Sequence, residues 1–279
     1  MKPERAVAHL ADNAQEGRRL MSHFQMEKVA VAPSAALRPY VQRYLIIEYF
    51  SGAMNTLLPD AGIVAAFRFK GTCLVNGSSA PNLLVTGLRD SARKLILSGR
   101  CGNVVVLFTP LGAAEFLREP VEELFNGTLP FEHQVRRSHL DLVEEQLAEA
   151  PDHGRRVALV ERFLLEQQRS RQPDPLVAAA IAHIHGARGS LRIDRLARLA
   201  GVSQSALERR FRRAVGATPK KFATIVRLRH VVQLRESGAS LTEIAHAAGY
   251  ADQPHFIKDF KRFAGEAPES FFQTATTFC

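Results

Sequence analysis

The chain has no apolar run of about 18 residues or more, so it offers no transmembrane helix. Cysteine is scarce: Cys73, Cys101 and Cys279 are odd in number and unpatterned. That argues for a reducing compartment and against a disulfide framework. No CxxC or HExxH spacing occurs, so no metal site is expected, and the cysteines read as small buried hydrophobes. A metal shared by Cys73, Cys101 and nearby histidines is the weaker alternative. A phosphate-binding loop, a dinucleotide fingerprint, a nucleophile elbow and suitably paired carboxylates are also missing. The expectation is a protein that is not an enzyme and carries no cofactor. Residues 1–22 are charged, lack an apolar signal core and read as a flexible tail rather than a secretory signal.

What is present is uneven charge. The net charge is +9. From Asp174 to Cys279 there are 16 Lys+Arg against 9 Asp+Glu, while the stretch before it holds 21 against 19. A basic domain joined to a near-neutral one points to a polyanionic partner for the basic half.

The pattern of the chain changes with position. From about Tyr44 to Pro110 come short apolar runs, YLIIEYF, GIVAAFRF, NLLVTG, KLILS and NVVVLF, bounded by Gly, Asn, Asp or Ser. These read as strands and turns. From Leu111 onward the pattern reads as helical: GAAEFLREP, HLDLVEEQLAEA and GRRVALVERFLLEQQ. The last two form an expected αα-hairpin, with Val157, Val160, Phe163 and Leu164 on one stripe. The polar, proline-containing stretch RSRQPDP supplies a linker, placed at 171–175. The expected fold class is an α+β N-terminal domain, a small, mostly antiparallel sheet or partial barrel plus the hairpin, over 23–170. An all-α domain with two helix-turn-helix units follows over 176–279.

That second domain contains a diverged repeat. IDRLARLAG, from Ile193 to Gly201, returns as LTEIAHAAG, from Leu241 to Gly249, at an offset of 48. Beyond the glycine the offset is 49, and Leu207, Phe211, Gly216, Pro219 and Phe222 answer Phe256, Phe260, Gly265, Pro268 and Phe271. Each copy has a first helix with small inward residues and a glycine suited to positive φ. Each then has a cap, Ser203 or Asp252, opening a second helix. The apolar stripes of the second helices are Leu207, Phe211 and Val215, and Phe256, Phe260 and Phe263. The opposite faces hold Ser205, Arg209, Arg212 and Arg213 in one copy, and Pro254, Lys258, Lys261 and Arg262 in the other. A basic outward face on the helix that enters a major groove points to DNA rather than to a merely solvated surface. Between the copies, Pro219 to Gly238 predicts a helix of about 30 Å, close to one turn of B-DNA at about 34 Å. Arg227 and Arg229 on it are phosphate-contact candidates.

These residues carry a resemblance. IAHAAGYADQPHFIKDFKRFAGEAPESF and LARLAGVSQSALERRFRRAVGATPKKF place the segment Pro175–Phe271 close to the AraC/XylS family of transcription regulators. The resemblance implies a sequence-specific, DNA-binding regulator with base contacts from Ser205, Glu208, Arg209, Gln253, Pro254, Ile257 and Lys258. It implies phosphate contacts from Arg212, Arg213, Arg227, Lys261 and Arg262. Pro254 departs from the small polar residue usual there, and Phe271–Phe272 from the usual aromatic-plus-basic ending. LRPYVQRYLIIEY, LLPDAGIVAAF, VTGLRD and VVLFTPLGAAEFL are similar to an uncharacterised domain found ahead of this module. It implies an effector-sensing or dimerisation role, without the metal-site histidines of the cupin-like barrels in better-known members. The partners implied are double-stranded DNA, RNA polymerase, a small-molecule effector and a second copy, with no membrane. The implied place is the bacterial cytoplasm, at the nucleoid.

Two other readings compete. The N-terminal domain could be enzymatic, with Asp60 as its candidate, although a turn role suits that residue better. Alternatively the chain is a less specific DNA-structuring protein, against which the two differently surfaced second helices argue. His183 and His185 read as favouring a helix C-terminus, and Glu144–Glu145 as a solvated face.

Overall fold

The computed structural model describes residues 26–50, 53–75 and 78–274. The expected N-terminal tail and Cys279 lie outside the described residues.

The N-terminal domain is built on one antiparallel sheet. Its strands are β1 (Met26–Val31), β2 (Val41–Tyr49), β3 (Ala53–Leu57), β4 (Val64–Val75), β5 (Ser78–Ser79), β6 (Leu83–Thr86), β7 (Arg93–Phe108) and β8 (Thr128–Pro130). They run in the order β1-β2-β7-β4-β6-β8, with β3 on β7 and β5 on β4. The spine is β4 against β7, from Val64 opposite Leu107 to Val75 opposite Leu95. KLILS and NVVVLF, read as two strands, are one long strand. Gly99 at φ +70 lets the chain bend there, where the register against β4 shifts between Gly102 and Ser98 and then resumes.

Both faces of this sheet are buried, which is why its strands read as solid apolar runs rather than alternating ones. Side chains alternate between the faces. Tyr44, Ile46, Phe67, Val104 and Val106 point to the helical hairpin and share a core with Val160 and Phe163. Leu45, Ile47, Tyr49, Leu97 and Leu107 point to the other side, with Cys73 and Cys101. Both cysteines are buried thiols. The hairpin is α1 (Arg137–Glu149) and α2 (His153–Gln167), the latter capped by Asp152, which accepts from the Arg155 amide. Phe163 fixes it to the sheet through ring contacts of 5.4 Å with Phe67 and with Phe131.

GAAEFLREP is not a helix beyond a single 3₁₀ turn, Ala113–Glu115. The stretch is bracketed by Pro110 and Pro120 and is too short to hold helix on its own. Glu115 is instead drawn inward, 3% exposed. Its carboxylate accepts from the amides of Ser170 and Arg171. The expected linker is therefore pinned at its start. It is also pinned at its end, where Asp174 caps the next helix and takes two 2.7 Å hydrogen bonds from Arg210.

The C-terminal domain comprises α3 (Pro175–Gly186), α4 (Ile193–Leu199), α5 (Gln204–Val215), α6 (Pro219–Glu236), α7 (Leu241–Ala247), α8 (Gln253–Ala264) and α9 (Pro268–Thr274). The helices start and stop where the sequence signals them. Ser203 accepts from the Ala206 amide and Thr218 from the Lys221 amide. Ser240 and Glu243 form a reciprocal capping box. Gly201 and Gly249 take positive φ in the two turns. The long helix α6 belongs to two cores at once. Phe222, Ile225 and Val226 join the first unit and the N-terminal domain, while Leu228, Val231 and Val232 join the second unit.

The two units are held differently. Leu207, Phe211 and Val215 of α5 share one continuous core with Val121 and Leu124 of the N-terminal domain. The second unit has its own core, to which the N-terminal domain adds Leu58. The end of α5 shows how close the first contact is. Gly216 ends that helix at φ +88, and a Cβ there would stand 2.6 Å from the Val121 carbonyl oxygen. Gly265 ends α8 at φ +84 in open space. Left-handed backbone costs an L residue about 1–2 kcal/mol. Gly265→Ala is expected to lose about that much in urea denaturation, and Gly216→Ala more, because the 3₁₀ turn Val121–Leu124 must also shift.

Candidate nucleic-acid interface

The predicted reading helices are α5 and α8, and each presents one buried stripe and one solvent face. Leu207, Phe211 and Val215 are fully buried, as is Phe256, with Phe260 and Phe263 close to it. Burial of these stripes fixes the rotation of each helix, so the outward residues follow. On α5, Ser205, Arg209, Arg212 and Arg213 are exposed. Glu208 is half-buried and accepts a 2.9 Å hydrogen bond from Gln204. Arg210 turns the other way, onto Asp174. That contact holds the Asp174 carboxyl below its usual range. On α8, Pro254, Lys258, Lys261 and Arg262 are exposed, while Ile257 is half-buried against the second core. Gln253 shares a 3.2 Å hydrogen bond with Thr242 of α7. Pro254 sits in the first turn of its helix, where no intrahelical amide bond is lost.

The cationic residues divide into free and engaged groups. Arg209, Arg212 and Arg213 are exposed and in no ion pair among the described residues, whereas Arg262 lies beside Asp259 at 3.2 Å and over the Phe263 ring. Arg227, expected at a phosphate, is one-fifth exposed and paired with Asp259 at 3.2 Å. Its guanidinium lies 4.4 Å from the centre of the Tyr250 ring. The reason is its position on α6: it faces α8, so its charge joins the two helices instead of pointing outward. Arg229, the other candidate on α6, is also one-fifth exposed and meets Asp60 at 3.7 Å.

Several contacts that position the interface were missed in the sequence. Asp60, read as a turn residue, is an interdomain partner of α6. Asp90 pairs with Lys221 at the start of the same helix. The Ala92 amide donates to the Phe263 carbonyl at 2.6 Å. None has a local signal, since each partner is distant along the chain. His185, read as favouring a helix C-terminus, lies edge-on to Phe222 at 5.5 Å, and burial lowers its pKa. It stands in the last turn of α3, as expected, with its ring against the core.

Comparison with known proteins follows the same division. The family described as "Helix-turn-helix domain" matches residues 196–274. Ahead of it, "Domain of unknown function (DUF6597)" matches residues 29–130. An AraC-like transcription regulator of Streptomyces antibioticus is 37% identical over 100 residues, 35% of this chain and 33% of that protein. The C-terminal region thus matches a helix-turn-helix family and is similar to the corresponding part of AraC-like regulators. The regulator GlxA of Rhizobium meliloti is 41% identical over 76 residues, covering 27% of this chain and 24% of its own. The chain thus spans about a third or less of the length of these curated relatives. The solved structure of ToxT from Vibrio cholerae covers 91% of this chain and 99% of its own, at 11% identity and a TM-score of 0.47. The AraC-type match begins within α4 and ends at α9, so it takes in both reading helices and the rod between them. The N-terminal match ends at β8, before the helical hairpin. Among the described residues, no helix is long and apolar enough to cross a membrane.

Proposed function

We propose that this chain is a sequence-specific DNA-binding transcription regulator that lays α5 and α8 in successive major grooves on one face of the duplex. The observation that carries the reading is the spacing of two like parts. Helix α6 has 18 residues, about 27 Å at 1.5 Å per residue. It separates two helices whose outward faces are basic and whose inward faces are fully packed. Arg209 and Lys258 suit guanine, Glu208 suits the cytosine amino group and Gln253 suits adenine. Ser205 is a further polar reader, and Ile257 and Pro254 offer apolar contact only. Arg212, Arg213, Lys261 and Arg262 are assigned to phosphates, which position without specifying. Arg227 holds α6 to α8 and is not assigned to DNA.

The N-terminal domain is the regulatory part in this reading, responding to a small molecule and, in a regulator of this kind, passing its state to RNA polymerase. Selection from a pool of random duplexes at moderate salt tests the central reading. The expected product is one asymmetric sequence in which two short blocks are enriched. An unenriched pool would favour a non-specific DNA-structuring protein instead.

A further inference from the structure

The inner face of the N-terminal sheet encloses a cavity of about 130 Å³. An apolar cavity of that order takes a benzene-sized molecule. Its walls are apolar, with Leu45, Ile47, Val105 and Leu107 among them, but three arginines also line it: Arg68, Arg89 and Arg93. The carboxylate there, Asp60, already meets Arg229.

Arg68 is the unusual residue. It is 6% exposed. Its Nη1 donates to the Ala80 carbonyl at 3.1 Å and to Asn82 Oδ1 at 3.4 Å, and its Nη2 to the Pro81 carbonyl at 3.3 Å. Its Nε is buried without a partner, and so is the Nε of Arg89. Among the described residues no carboxylate lies within ion-pair distance of Arg68. A buried cation without a counter-charge is costly, and an anion in the space would relieve that cost. Arg68 and Arg93 face the same region. Burial pushes the Cys73 thiol up in pKa, and both guanidiniums oppose that shift.

We propose that this cavity is a binding site for a small organic carboxylate with a compact apolar body. The carboxylate takes the open Nε edge of Arg68, a charge-assisted bond in a dry setting, and the body fills the space between Leu45, Ile47 and Val105. The site is also tied to the second helix-turn-helix unit. The segments that close it, Leu58–Asp60 and Arg89–Arg93, are the ones that hold that unit. Leu58 lies in its core, Asp60 and Asp90 pair with α6, and Ala92 donates to Phe263. A ligand that prefers one setting of these segments changes the hold on α8, and the hold changes ligand affinity by the same factor. The proposal deepens the regulator reading, on which only the link to DNA rests. Ligand binding is measured without DNA, so the two ideas fail separately.

The test is calorimetry on the full chain with phenylacetate and 4-methylpentanoate, each compared with its uncharged amide and with inorganic phosphate. The acids are expected to bind at least roughly tenfold more tightly than the amides, the worth of one charge-assisted hydrogen bond, and more tightly than phosphate. Arg68→Gln should remove the preference for acid over amide. Ala66→Leu, on the cavity wall, should abolish acid binding in a folded protein, so the result does not depend on Arg68→Gln being stable. Asp90→Ala, away from the cavity wall, should change acid affinity. Absent binding, equal binding of acid and amide, phosphate binding as tight as the acids, or unchanged binding in Ala66→Leu would overturn the site. Unchanged acid affinity in Asp90→Ala would overturn its link to the second unit.

Discussion

Phe211→Ala is expected to destabilise the N-terminal domain and the first helix-turn-helix unit together, by about 3–5 kcal/mol. Phe211 is fully buried and meets Phe222 at 5.4 Å in an edge-on contact. Truncation removes its transfer energy, opens a cavity and forfeits the ring contact, itself worth about 0.5–1.5 kcal/mol. Its neighbours belong to both domains through one core, so no part of that core can melt alone. Phe260→Ala removes a ring of similar burial from the separate core of the second unit. It is expected to melt that unit ahead of the rest. Hydrogen exchange on both variants distinguishes the cases. Early loss of protection confined to α7–α9 is expected in Phe260→Ala, and loss shared by the sheet and α5 in Phe211→Ala. If both variants lose protection uniformly, the two cores act as one.

Arg209→Ala is expected to relax base preference at one position of the selected site and to cost about 1–3 kcal/mol on that site. Arg212→Ala is expected to weaken all sequences alike and to lower the salt slope by about one. The difference comes from rotation. Both residues are exposed on α5, but Arg209 shares a turn with Ser205 and Glu208, near the N-terminal end that approaches base edges. Arg212 lies almost one turn further along and to the side, where a phosphate contact is expected. Binding measured against a panel of single-base variants at two salt concentrations separates them. Identical behaviour of the two variants would contradict this sorting.

The helix-turn-helix half was legible because its signals are local. Caps at Ser203 and Asp252, glycines at 201 and 249, and stripes such as Phe256–Phe260–Phe263 all lie within a few residues of what they determine. Duplication supplied a second reading of each. The sheet was legible in kind but not in detail, since a strand buried on both faces and bent at Gly99 resembles two strands. GAAEFLREP carried helical periodicity, yet the inward pull on Glu115 by a segment more than 50 residues away outweighed it. The interdomain pairs Asp60–Arg229 and Asp90–Lys221 left no trace in the sequence, because a charged residue in a turn looks the same whether or not it has a distant partner. The engagement of Arg227 was hidden for a related reason. Its position on the rod was clear, but the Tyr250 ring and Asp259 that hold it come from the second unit.

The central claim is that one rigid rod presents two unlike reading helices to one duplex. Hydroxyl-radical and major-groove methylation footprints on a selected site test it most directly. The account predicts two protected major-groove segments on the same face, about 10 base pairs apart, with Lys258→Ala clearing only one of them. A single protected segment, or two segments that Lys258→Ala weakens equally, would contradict it.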